Sequence, residues 1–154
     1  MDIKRMICWL SVVQFFLACS GKNLTWRPQE LTDTSSVLIT CDASGGNRGL
    51  YHFKGDVFVH IGVITDFRTT ATTWQYGKFV WGSSLAEAKA RPAGENKWSF
   101  EIPNIRKYFG VPDDERILQI AILFRSGNCS DSCLVQRQEN GMDMFVPVSD
   151  IRLP

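Results

Sequence analysis

The chain has 154 residues, 44% of them apolar and 21% charged, which suffices for one compact domain with a core and is too little for two cores joined by a linker. Seventeen Lys and Arg stand against sixteen Asp and Glu, and taking away residues 1–18 removes Lys4, Arg5 and Asp2, so that the remainder carries no formal net charge. A nucleic-acid binder, or a domain held electrostatically on a membrane, needs a basic surplus that is missing here.

The N-terminus opens with Lys4 and Arg5, continues through the apolar run Met6–Ala18 and reaches Cys19-Ser20-Gly21. A basic segment, an apolar segment and a small-residue cleavage point make an export signal over residues 1–18. The apolar run is too short for a membrane span, which takes roughly 20 apolar residues, and Gln14 interrupts it. Leu17-Ala18-Cys19 resembles the bacterial lipobox, in which the cysteine sulfur is lipidated and the chain is cut before it, with Phe16 standing where Leu is commoner. The resemblance implies a lipid on Cys19 and membrane association through that N-terminal lipid only; residues 19–35 are then a lipid-anchored linker, and residues 36–154, from the first clear strand signal onward, the folded domain. It further implies an outer-membrane lipoprotein of the bacterial cell envelope. Ser20-Gly21-Lys22-Asn23 lacks the acidic export signal of surface-exposed lipoproteins, which favours the periplasmic face.

After a polar stretch through Glu30, Ser36–Asp42 is β-branched and apolar and stops at Ser44-Gly45-Gly46-Asn47, a strand and a turn. Asp56–Ile64 and Trp74–Trp81 read as further strands, separated by a Thr-rich loop from Thr65 to Thr73 that is long for a hairpin. Ala86–Ala90 is a short helical candidate. Lys97–Ile102 alternates, with Trp98, Phe100 and Ile102 on one face, as a half-buried strand does. Ile105–Phe109 forms one helical turn ended by Gly110-Val111-Pro112. Leu118–Phe124 is almost continuously apolar and suits a strand buried on both faces. Asn140-Gly141 makes a turn before the last strand, Asp143–Val148, where Pro147 marks an edge or an end. About six to eight short strands with turns between them predict an all-β, immunoglobulin-like sandwich of the E-set type.

No set of reacting groups emerges. Asp113-Asp114-Glu115 follows a turn and reads as a solvated charge run, whereas glycoside hydrolysis needs two carboxylates facing across a cleft. No Gly-x-Ser-x-Gly turn is present, and Gly45-Gly46-Asn47 lacks the lysine of a phosphate loop. Cys129 and Cys133 can close a small loop as a disulfide after export, while Cys41, inside an apolar segment, reads as a small buried hydrophobe. His52 and His60 have no ligand-like spacing to the cysteines. The chain is therefore expected to be no enzyme and to need neither a metal nor another cofactor.

What stands out beyond residue 18 is tryptophan, at positions 26, 74, 81 and 98. The C–H face of a pyranose complements the negative face of an indole. Trp98 belongs to the core face of its strand, whereas Trp74, at the rim of Thr69–Thr73, is the ring most expected to be exposed, and Trp81 ends its strand at Gly82-Ser83-Ser84. Taken in order, Val57-Phe58-Val59-His60-Ile61-Gly62, Trp74, Trp98, Ile120–Arg125 and Asn140–Phe145 resemble the small starch-binding modules appended to bacterial amylases. The chain is also similar to the N-terminal β-domains of amylase-like and glycan-utilisation lipoproteins in Bacteroidota, through Gly49-Leu50, Asp56–His60 and Arg106–Val111.

The resemblance implies a non-catalytic carbohydrate-binding lipoprotein for starch or a related α-glucan, working beside a cognate glycan hydrolase or transporter. It places a sugar-contacting histidine at His60, stacking rings at Trp74 and Trp81, and polar contacts at Gln75, Tyr76 and Asn140. The stretches Ile64–Thr73 and Cys129–Glu139 are longer than in the compact modules. The competing expectation is a structural or protein-interaction sandwich that has lost the sugar site and shows a continuous apolar patch instead.

Overall fold

The computed structural model describes residues 23–129 and 132–149, so the export signal, Cys19 and the last five residues lie outside the described residues. Two antiparallel sheets face each other, with eight strands among the described residues. In the first sheet β2 (Val37–Asp42) lies between β1 (Leu24–Arg27) and β5 (Lys97–Ile102), and β4 (Arg91–Gly94) forms the far edge. In the second, β6 (Ile117–Ser126) pairs along one edge with β3 (Val57–Thr65). Along its other edge it pairs first with β8 (Met144–Pro147) and then with the two-residue β7 (Val135–Gln136). The expected all-β sandwich is the observed fold.

Period-two side-chain alternation explains the core. The pairs Val37–Ile102, Ile39–Phe100 and Cys41–Trp98 on the first sheet face Val57, Val59, Ile61 and Val63 of β3, together with Ile120, Ile122 and Phe124 of β6 and Met144 and Val146 of β8. Burying each such aliphatic side chain stabilises the fold by about 1.5–3 kcal/mol. Trp98 is core, as its strand pattern predicts, and Cys41 is a buried free thiol whose pKa burial pushes up. Cys129 and Cys133 are joined as a disulfide.

Two sequence expectations need correction. Residues 24–35 are not linker: β1 pairs with β2 from Leu24–Cys41 to Arg27–Leu38, and Leu31 is buried, so the folded domain begins at least twelve residues before position 36. Polar neighbours and Pro28 hide a strand of which only Leu24 and Trp26 turn inward. Trp74–Trp81 is not a strand. Gln75 bridges Val63, the Lys78 amide donates to the Ile61 carbonyl at 3.1 Å, and the left-handed backbone at Tyr76 (φ 52°) breaks the ladder between them. The short helical candidate at Ala86–Ala90 is present as a single 3₁₀ turn, Ala86–Ala88.

The helical turn α1 (Ile105–Phe109) is capped by the Asn104 side chain, which accepts from the Lys107 amide at 2.9 Å, and ends at Gly110 in the left-handed region. Its Arg106 is buried, pairs with Asp33 at 2.7 Å and donates to the carbonyls of Val111, Pro112 and Glu115. Through those bonds the connection into β6 is held against the fold, which fixes the place of Glu115.

Candidate functional site

The alternation that sends Val59 and Ile61 into the core sends Phe58, His60, Gly62 and Ile64 to the opposite face of the second sheet. There they stand beside Arg125, Leu123, Ala121 and Gln119 of β6. A sandwich leaves this outer face to solvent, but here the connection from Trp74 to Ser84 folds back over it. Gly62 permits the approach: a Cβ at this position would lie 2.8 Å from the Gln75 carbonyl oxygen. Gly127 does the same at the other end, where a Cβ would meet the Phe58 ring and the Ser84 hydroxyl.

Beside this cover lies an open recess of about 410 Å³, lined by His60, Trp74, Trp81, Leu123, Arg137 and Asp143. Leu123, paired with His60, is its floor. The imidazole stacks on Trp74 (centroids 5.3 Å apart, planes 22° apart) and meets Trp81 edge-on (5.1 Å, 89°). The two indoles are therefore steeply inclined to each other around a central histidine. Neither is buried, and Trp81 is 39% exposed. The opposite wall is an ion pair between the Arg137 guanidinium and Asp143. Asn47 holds this wall in place, accepting from the Arg137 amide at 2.8 Å and donating to the Val135 carbonyl at 2.9 Å.

Burial lowers the pKa of His60, and the nearby Arg125 cation lowers it further, against weaker opposing effects of Asp143 and the Phe79 backbone. The imidazole is thus held toward its neutral form, and its Nδ1 is enclosed without a hydrogen-bond partner. Arg125 is itself fully buried. Its guanidinium donates to the carbonyls of Ser126 (2.8 Å) and Ser83 and lies 5.7 Å from the Trp81 ring and 5.9 Å from Phe58. It ties the Trp81 connection to β6.

Gln75 and Tyr76, expected as sugar contacts, are engaged elsewhere. Glu115 is only 5% exposed, not part of a solvated run. It accepts from the hydroxyls of Thr65 and Tyr76 and, at 3.5 Å, from the Gln75 amide. The Gln75 side-chain oxygen, Oε1, in turn accepts from the Thr65 backbone amide at 3.1 Å. The hydrogen bond to Glu115, more than its partial burial and the carboxylate charge, raises the pKa of the Tyr76 phenol. These residues fasten the chain immediately after Trp74 and do not line the recess. Asn140 does not line it either: its side chain accepts from the Met142 amide at 3.0 Å inside the turn. Of the six residues, the fold brings together His60, Trp74 and Trp81. Sequence reading missed Arg137 and Asp143, although Asp143 could have been found by extending the alternation of β8 backward from Phe145.

Among the described residues no group of three or more His, Cys, Asp or Glu could hold a metal ion, and no helix is long and apolar enough to cross a membrane. No protein-family model matches the sequence, nor does any curated protein.

Proposed function

We propose that this domain is a non-catalytic carbohydrate-binding module that holds an α-glucan on Trp74 and Trp81. The observation that carries the reading is the pair of partly exposed, steeply inclined indoles facing an Arg–Asp pair across one shallow recess. Indole faces take the C–H faces of successive sugars, and the charged pair offers both donors and acceptors to ring hydroxyls. Rings so inclined suit a chain that curves, as an α-glucan does; a flat ribbon such as a β-1,4-glucan asks for coplanar rings. His60 supports both indoles and presents a neutral imidazole at the floor.

The strand order, β1-β2-β5-β4 against β3-β6 with both β8 and the short β7 on the far edge of β6, parallels that of a constant-type immunoglobulin sandwich apart from β7, which supports the immunoglobulin-like reading and the resemblance to starch-binding modules. The lipobox-like Leu17-Ala18-Cys19 supports a lipid-anchored envelope protein that retains polysaccharide for a cognate hydrolase or transporter. A second reading, docking of another protein, draws on Val80 (77% exposed) and Leu85 (50% exposed) in the same connection.

Isothermal titration and affinity electrophoresis against amylose, pullulan, dextran and β-glucans, with Trp74→Ala alongside, test the proposal. Binding to an α-glucan that disappears in the variant is the expected result; a folded protein that binds none of these glycans refutes it and leaves the docking reading.

A further inference from the structure

The aromatic recess does not end at Asp143. A second recess of about 240 Å³ is lined by Thr72, Met142, Asp143 and Phe145, so that Asp143 is a wall of both. A third, of about 320 Å³, shares Phe145 with the second and reaches Gln138, Glu139 and Trp26 of β1. Asp143 and Phe145 are two residues apart and project to the same outer side, opposite Met144 and Val146, which enter the core. The three depressions thus adjoin one another along β8 through Asp143 and Phe145, from the indoles on the outer face of the second sheet to the first strand of the other sheet. Asn23 closes the far end beneath the surface, donating from its amide to the Arg137 carbonyl at 2.7 Å and to Met144 Sδ at 3.2 Å.

Every recess has an aromatic ring that is not fully buried: Trp74 and Trp81 in the first, Phe145 in the second and third, Trp26 in the third. Hydrogen-bonding groups stand between the rings, namely Asp143, Thr72, Gln138 and Glu139. Apolar faces at intervals with polar groups between them match a linear chain of sugars, each residue offering one C–H face and a rim of hydroxyls. A single sugar or disaccharide would leave Phe145 and Trp26 unused.

We infer that the binding site is an extended groove, in which the indole recess is one end and Phe145 and Trp26 receive further sugars of the same chain. This inference rests on the reading of Trp74 and Trp81 as a sugar platform. The groove makes the protein selective for chain length, so that it retains long glucans and releases the short products of their hydrolysis.

Titration of the full chain with a malto-oligosaccharide series from the disaccharide to the octasaccharide tests the groove. The expected result is an affinity that keeps rising beyond the trisaccharide, by about tenfold or more in total, with Phe145→Ala removing the rise and sparing the trisaccharide. Met142→Arg, at a turn position 51% exposed, blocks the second recess without touching the core and gives the same result if Phe145→Ala perturbs folding. An affinity that is flat beyond the trisaccharide while still dependent on Trp74 overturns the groove and spares the platform; no binding at any length overturns both.

Discussion

Glu115 supplies the sharpest test of how the site is built, because its acceptor oxygens hold the two residues that follow Trp74. Replacing it with alanine removes the carboxylate from a position 5% exposed and takes one of two acceptors from the fully buried Thr65 hydroxyl, the other being the Gln75 side-chain oxygen at 2.6 Å. Tyr76 can turn to water and Thr65 keeps the Gln75 side-chain oxygen as an acceptor, so the loss falls on the bonds to the charged acceptor and on the side-chain cavity. One buried hydrogen bond to a charged acceptor contributes about 1.5–3 kcal/mol. Glu115→Ala should therefore lower Tm by roughly 5–10 °C, followed by circular dichroism. Near-UV circular dichroism should change as well, since Trp74 loses its orientation against His60. Asp114→Ala, one residue earlier and exposed, is the control and should stay within about 0.5 kcal/mol of the parent. If the two variants melt together, Glu115 does not hold this connection and the account of Trp74 positioning is wrong.

Protonation of His60 should favour unfolding. The unfolded imidazole takes up its proton near pH 6.5, whereas the folded one does so only at lower pH, so stability is full above pH 6.5 and falls as the pH drops toward the folded value. Urea midpoints of the parent should decline more steeply than those of His60→Gln between pH 7 and 5; parallel profiles would contradict the shift. Gly62→Ala should push the Gln75 carbonyl off the sheet and weaken glycan binding more than a core alanine substitution of equal destabilisation does, as titration would show. Trp98→Ala, which empties a core position, should cost about 3–5 kcal/mol in denaturant unfolding. Opening the five-residue loop with Cys129→Ser and Cys133→Ser should cost about 2 kcal/mol by the chain-entropy relation, and an unchanged midpoint would contradict that.

The alternating strands were legible because one face of each meets a core: Val37-Ile39-Cys41, Trp98-Phe100-Ile102 and the long runs of β3 and β6 announce themselves. The rest was not, for identifiable reasons. β4 has every side chain exposed and exists because β5 offers it an open edge. β7 is two residues long and lies within a stretch that reads as an insertion. At the site, the rings declared themselves by type, whereas Arg137 and Asp143 became a wall only through the register of β7 and β8 on β6. Glu115 looked like the third member of a solvated run. Its burial follows from Arg106, which holds the Val111, Pro112 and Glu115 carbonyls and so turns one carboxylate inward.

The geometry also separates what holds the site from what forms it. His60, Trp74 and Trp81 stand on the outer face of the second sheet, outside the core cluster, and the sandwich closes without them. Behind them, besides the backbone bonds of Gln75 to Val63 and of Lys78 to Ile61, Glu115, Arg125 and Gly62 fasten the 74–84 connection: a carboxylate beneath Gln75 and Tyr76, a guanidinium beneath Ser83, and a missing side chain beneath the Gln75 backbone carbonyl. Two of these fasteners are buried polar groups whose hydrogen bonds are made to the covering connection. Each would be costly if the connection lifted away, because the groups would lose their partners without leaving the protein. The cover is thus coupled to the sheet by these hydrogen bonds together with Tyr76 and Phe79, which pack against the core, and the rings it carries line the recess. Substitutions in the rings should reduce binding with little change in Tm, while substitutions at the fasteners should reduce both. A Trp81→Ala variant that melted as low as Glu115→Ala would place that ring among the fasteners instead.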